Sequence, residues 1–158
     1  MSKTTPEPAS TQALSKQEYE KLSRFRYQLR CFLRLSEDIC RANGLTPLQY
    51  QLLLHLKGTP GKEWASIGEL AERLQAKHHG VVALIDRCEK LGLVERRPGK
   101  GDRRQVEIHL LPKGRESLEL LAKLHQPELR LLQDAMTLSD GEKPIRRRPR
   151  EPNKKEAW

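Results

Sequence analysis

Two short helical segments lie three residues apart, and the run that follows changes its apolar period from three-four to two. This order constrains the fold more than any other feature. Ser66-Ile67-Gly68-Glu69 is a capping box, in which Ser and Glu each satisfy a backbone amide of the other, so a helix is predicted over Ile67 to Leu74. Gln75-Ala76-Lys77 has the length of a helix-turn-helix connection, and a second helix runs from about His78 to Leu91. Val106, Ile108 and Leu110 then alternate with Gln105, Glu107 and His109, the pattern of a strand with one face buried. Leu93 to Arg97 supplies the other arm of a hairpin. Its loop, Pro98 to Arg104, is longer than a tight turn and carries three cations.

Helices flank this unit. From Lys16 to Ala42, Leu22, Phe25, Leu29, Phe32 and Ile39 follow helical spacing and predict one buried stripe, ended by Asn43-Gly44. Thr46-Pro47-Leu48-Gln49 starts the next helix, with Thr46 as cap and Pro47 at the first helical position. Gly58-Thr59-Pro60-Gly61 breaks it. Pro112-Lys113-Gly114 opens a last helical region with Leu118, Leu121, Leu124, Leu129, Leu132 and Met136 apolar, which Pro127 is expected to split in two. The predicted class is mainly α with a small β hairpin (α+β): a winged helix-turn-helix domain plus terminal helices. Residues 15–138 form this domain, with a core at about 46–111. Residues 1–14 and 139–158 combine Pro and polar groups with few large apolar ones and are expected to be disordered tails.

The 158 residues suffice for one domain with its own core. The net charge is +9. Residues 15–140 hold a surplus of five cations, and residues 141–158 a surplus of four. A basic surplus favours polyanions. No apolar run approaches the roughly 20 residues of a membrane span, and Met1 to Ser10 lacks the apolar core of a secretory signal. Three cysteines make no disulfide framework and agree with a reducing cytoplasm. No C-x-x-C, H-E-x-x-H, phosphate loop or nucleophile-base set occurs, so neither a metal or other cofactor nor an enzyme is expected. Only seven aromatic residues argue against base stacking as the means of reading nucleic acid.

Double-stranded DNA is the partner that the remaining pattern fits. On the His78–Leu91 helix, Val81, Leu84, Ile85, Cys88 and Leu91 cluster inward. Its first turns present Lys77, His78, His79, Gly80 and Val81, then Ala83, where small residues and free amides suit a groove and its phosphates. Lys100, Arg103 and Arg104 lie in the projecting loop and suit the negative potential of a narrow minor groove. Asp102 can orient a neighbouring arginine.

Gly92-Leu93-Val94-Glu95-Arg96-Arg97, Gly101-Asp102-Arg103-Arg104, Val106-x-Ile108-x-Leu110 and Pro112-x-Gly114 resemble the wing of the MarR family. Ile67-Gly68-Glu69-Leu70-Ala71 and Leu84-Ile85-Asp86-Arg87 resemble its helix-turn-helix. The resemblance is specific over residues 66–114. It implies a homodimeric, cytoplasmic, sequence-specific regulator of transcription, here read as a repressor released by a small molecule. The first and last helices would form the dimer, and two recognition helices would enter successive major grooves of a pseudo-palindromic operator. Arg104 would enter the minor groove with Asp102 as its support. Where the family commonly has Ser or Thr near 77 and 80 and Arg near 83, this chain has Lys77, Gly80 and Ala83, which points to shape readout or a different operator. The family also implies a small aromatic or amphipathic effector. Phe25, Tyr50 and Trp64 could line its site, although core packing explains them equally well. The alternatives are a redox-sensing regulator using cysteine and a winged-helix protein-interaction module that does not read DNA. Cys31 and Cys40 lie nine residues apart on one helix, half a turn out of phase, so they cannot easily pair within a subunit.

Overall fold

The computed structural model describes residues 13–137, so the expectations for the two tails lie outside the described residues except at residues 13–14, which are exposed and in no helix or strand. The order is α1 (Lys16–Ala42), α2 (Pro47–Lys57), β1 (Trp64–Ser66), α3 (Ile67–Leu74), α4 (His78–Lys90), β2 (Val94–Pro98), β3 (Val106–Leu110) and α5 (Pro112–Thr137). Local signals place the helix ends. Capping boxes at Ser15, Thr46 and Ser66 start α1, α2 and α3. Gly44, at φ +76°, takes the left-handed turn after α1 at no steric cost.

The hairpin β2–β3 forms as expected, with Val94 opposite Leu110 and Pro98 opposite Val106. A third strand joins it. β1 pairs antiparallel with the outer side of β3, Ala65 opposite Ile108, so the sheet order is β1-β3-β2. Three residues are too few to show a period, and β1 exists because β3 offers it a ladder. Leu52, Leu53 and Leu56 of α2, Leu70 of α3, Val81 and Ile85 of α4, and Ile108 of β3 share one buried core.

Three expectations are corrected. Pro127 does not split the last helix: α5 is continuous through it. Proline removes one intrahelical donor, but both Pro127 and Lys123, whose carbonyl loses its partner, are exposed to water. The stripe on α1 is only partly buried within one chain: Leu29, Phe32 and Ile39 are half-buried. Leu22 and Phe25 are 53% and 40% exposed, and Cys40 is the one buried residue of α1. On β3, Val106 is exposed and Glu107 is buried, the reverse of the expected alternation at that end.

Gln75 closes α3 in the left-handed region at φ 50°, with its side chain donating to the Glu72 carbonyl at 2.6 Å. A side chain at such a φ is strained by about 1 kcal/mol. Gln75→Gly is expected to raise stability by about 0.5 kcal/mol in thermal unfolding. A fall would show that the bond to Glu72 outweighs the strain.

Candidate nucleic-acid interface

The α3–turn–α4 unit presents the start of α4 to solvent. Lys77 is its N-cap, and its side chain makes no capping hydrogen bond, unlike the caps of the three preceding helices. The first amides of α4 therefore stay available to an outside acceptor. Lys77, His78, His79 and Gly80 are all exposed. A Cβ added at Gly80 would meet nothing within 4 Å, so packing does not require glycine there. Val81 is placed differently from the rest of the predicted set. It is 1% exposed and belongs to the core, because it shares the inward face with Leu84, Ile85 and Cys88. Ala83 is half-buried.

The wing loop closes on itself. Gly99 donates to the Gln105 carbonyl at 2.7 Å, and Gln105 donates to the Asp102 carbonyl at 3.0 Å. Gly99 is buried, and a Cβ there would lie 2.6 Å from the Asp102 carbonyl oxygen, so only glycine fits. Asp102 Oδ1 accepts from the Arg104 backbone amide at 2.9 Å. The aspartate thus shapes the main chain that carries Arg104. Lys100, Arg103 and Arg104 are exposed, and none forms an ion pair among the described residues. Arg97, on the adjoining strand, is paired with Glu95.

Arg96 fastens the wing to α4, a role the sequence reading missed. Its amide donates to Glu89 at 2.9 Å, its guanidinium reaches Asp86 at 2.6 Å, and a second guanidinium nitrogen contacts Glu89. Asp86 is not a free carboxylate: it is paired with this arginine, which it shares with Glu89. The available signal was two carboxylates three residues apart on one helix face, followed by an arginine on the next strand.

The three proposed effector-lining residues have different neighbours. Phe25 lies on the exposed face of α1. Tyr50 stacks on His125 with centroids 4.4 Å apart. Trp64 lies under the Lys62 ammonium at 3.7 Å and beside His109 at 6.5 Å. His125 is buried where α1, α2 and α5 meet. Its Nδ1 donates to the Leu121 carbonyl at 2.7 Å, which leaves Nε2 to accept from Ser36 at 2.8 Å when the ring is neutral. Cys40 and Cys88 are fully buried, and burial pushes the Cys88 thiol up to about 11. A thiol held so high is a poor redox nucleophile. Among the described residues, no group of three or more metal-ligating side chains comes together, and no helix is long and apolar enough to cross a membrane.

A helix-turn-helix with an uncapped second helix, followed by a three-stranded sheet whose loop presents unpaired cations, defines a winged helix-turn-helix protein. Residues 43–105 match the family model described as MarR family. The chain is thus similar to the MarR family over that stretch. It is 29% identical over 119 residues to a putative transcriptional regulatory protein for the hcr operon of Thauera aromatica, covering 75% of this chain and 68% of that protein. It is 38% identical over 72 residues to YsmB of Bacillus subtilis, an HTH-type transcriptional regulator, covering 46% and 49%. Among solved structures, AbsC, a MarR family transcriptional regulator from Streptomyces coelicolor, aligns with a TM-score of 0.68 at 23% identity, over 80% of this chain and 84% of AbsC. A mutant of MepR from Staphylococcus aureus, bound to an oligodeoxyribonucleotide, aligns with a TM-score of 0.58 at 20% identity, over 73% and 82%.

Proposed function

We propose that the chain is a cytoplasmic, homodimeric repressor that binds a pseudo-palindromic operator and is released by a small aromatic or amphipathic acid. The observation that carries the DNA-reading part is the pairing of the uncapped start of α4 with the unpaired cations Lys100, Arg103 and Arg104 of the wing. An uncapped helix start attracts phosphate, and free arginines suit a minor groove. Lys77, His78, His79, Gly80 and Ala83 would face the major groove, with Val81 supporting them from the core. A DNA-binding core at about 46–111 sits within a domain spanning 15–138, flanked by tails at 1–14 and 139–158.

Dimerisation is supported by exposed apolar side chains on α1 and α5. Tyr19, Leu22, Phe25 and Leu33 lie exposed on α1, and Leu120, Leu124 and Leu129 on α5. Exposed apolar side chains in this number are costly in water and suit a second copy. The effector would act where α1 and α5 meet α2, near the Tyr50–His125 stack, because a shift there would move the dimer helices against the DNA-reading unit.

Footprinting the purified protein on genomic DNA tests this reading. Two symmetric half-sites about 34 Å apart are expected, bound by two chains. Intact dimers that bind every duplex equally would overturn it and favour a protein-interaction module.

A further inference from the structure

The pattern of β3 predicts Glu107 on the water side, yet it is 5% exposed, while Val106 before it is 37% exposed. A buried carboxylate is costly unless hydrogen bonds replace its water. Glu107 Oε2 accepts from His109 Nε2 at 2.8 Å, and Oε1 receives the Lys100 backbone amide at 3.4 Å, a long contact. His109 is two residues along the same face of β3, and Trp64 of β1 lies beside its ring. The charged groups around the carboxylate are His109 on its own strand, Lys100 on the loop and Arg97 opposite it on β2, the last already paired with Glu95. The His109 hydrogen bond is the largest influence holding the Glu107 carboxyl below its ordinary value, against the opposing effect of burial.

We propose that Glu107 is a positioning residue for DNA binding: from within the sheet it holds the base of the wing loop, and so fixes how Arg103 and Arg104 are presented. This rests on the reading that the wing contacts DNA. The loop's other hydrogen bonds, from Gly99, Gln105 and Arg104, all end on groups within the loop. They shape the loop but do not tie it to a buried side chain. Glu107 supplies that tie at Lys100, next to the buried Gly99 on which the loop turns. The His109 hydrogen bond keeps the carboxylate from swinging out to water.

The test is a double-mutant cycle in the full-length protein, read as affinity for a footprinted operator duplex. Glu107→Leu keeps most of the packing and removes the acceptor. It is expected to weaken binding roughly tenfold, while Glu107→Gln, which keeps one acceptor oxygen, recovers most of that loss. In an Arg103→Ala/Arg104→Ala background, Glu107→Leu should change affinity by less than about twofold, because it acts through the residues already removed. An equal loss in both backgrounds, or no loss from Glu107→Leu, overturns the proposal while leaving the wing reading intact. If the double arginine variant binds as tightly as the parent protein, the wing reading itself fails, and this inference with it. Should Glu107→Leu not fold by circular dichroism, Glu107→Asp, one methylene shorter, carries the same cycle with the same expectations.

Discussion

Arg104→Ala is expected to weaken operator binding by about 1–3 kcal/mol, roughly fivefold to 150-fold, if the side chain reaches a base edge in the minor groove. Three observations make Arg104 the sensitive position. Its side chain is exposed and makes no ion pair among the described residues, so nothing in the protein competes with DNA for it. Its backbone is fixed by the Asp102 carboxylate, so less conformational freedom is lost when it binds. The loop that carries it turns at a glycine that no other residue can replace without meeting the Asp102 carbonyl. Arg97→Ala is the matched control. That arginine is also on the wing but already paired with Glu95, so its loss should matter much less. Titration of labelled operator at physiological salt, repeated at higher salt, separates the cases. A pure phosphate contact lowers the salt slope by about one, whereas a base contact also relaxes sequence preference. Equal binding by variant and parent would remove Arg104 from the interface.

Gly114→Ala is expected to cost about 2–3 kcal/mol of folding stability, a large effect for one methyl group. A Cβ at Gly114 would lie 2.1 Å from the Leu93 carbonyl oxygen and 3.0 Å from its carbon, both backbone atoms that cannot swing aside. The same oxygen accepts the Leu111 amide at 3.0 Å, and Lys113 donates to the neighbouring Leu91 carbonyl at 2.8 Å. Relief of the clash must push the start of α5 away from the segment before β2 and stretch both bonds. Thermal unfolding should show a midpoint lower by roughly 5–10 °C. Gly80→Ala is the contrast. Its added Cβ meets nothing within 4 Å and lies on a helix, where alanine is favoured, so it should be neutral or slightly stabilising. A midpoint for Gly114→Ala within a degree of the parent would show that α5 can shift freely against the sheet.

Much of the winged unit was legible because its signals are local. Ser66 with Glu69 and Thr46 with Gln49 satisfy helix-start amides within four residues, and the structure shows both boxes closed. The turn at Gln75–Lys77 and the cations of the wing loop were equally plain. The candidate site was less fully visible. Val81 belongs to the first turns of α4 by position, yet its place on the inward stripe puts it in the core. The Arg96 clamp joins residues seven and ten apart on different elements, which no short pattern registers. The cations of the wing are visible in the sequence, but the buried acid that accepts the Lys100 amide is not.

The sequence by itself determined where helices start and stop, which face of α4 turns inward, and which charges the wing offers. Those properties depend on hydrogen bonds and periods that close within a few residues. The tertiary structure alone decided the third strand, the continuity of α5 through Pro127, and the burial of Glu107 in place of Val106. It also decided that Leu22 and Phe25 of the α1 stripe stay exposed on the single chain, while Leu29, Phe32 and Ile39 are half-buried. Each of these depends on what lies opposite in space: a free ladder edge, water over an unpaired carbonyl, a loop folded back over a strand, or a surface with no neighbour. Apolar spacing fixes which residues share a face, and only the packing of distant segments decides what covers that face.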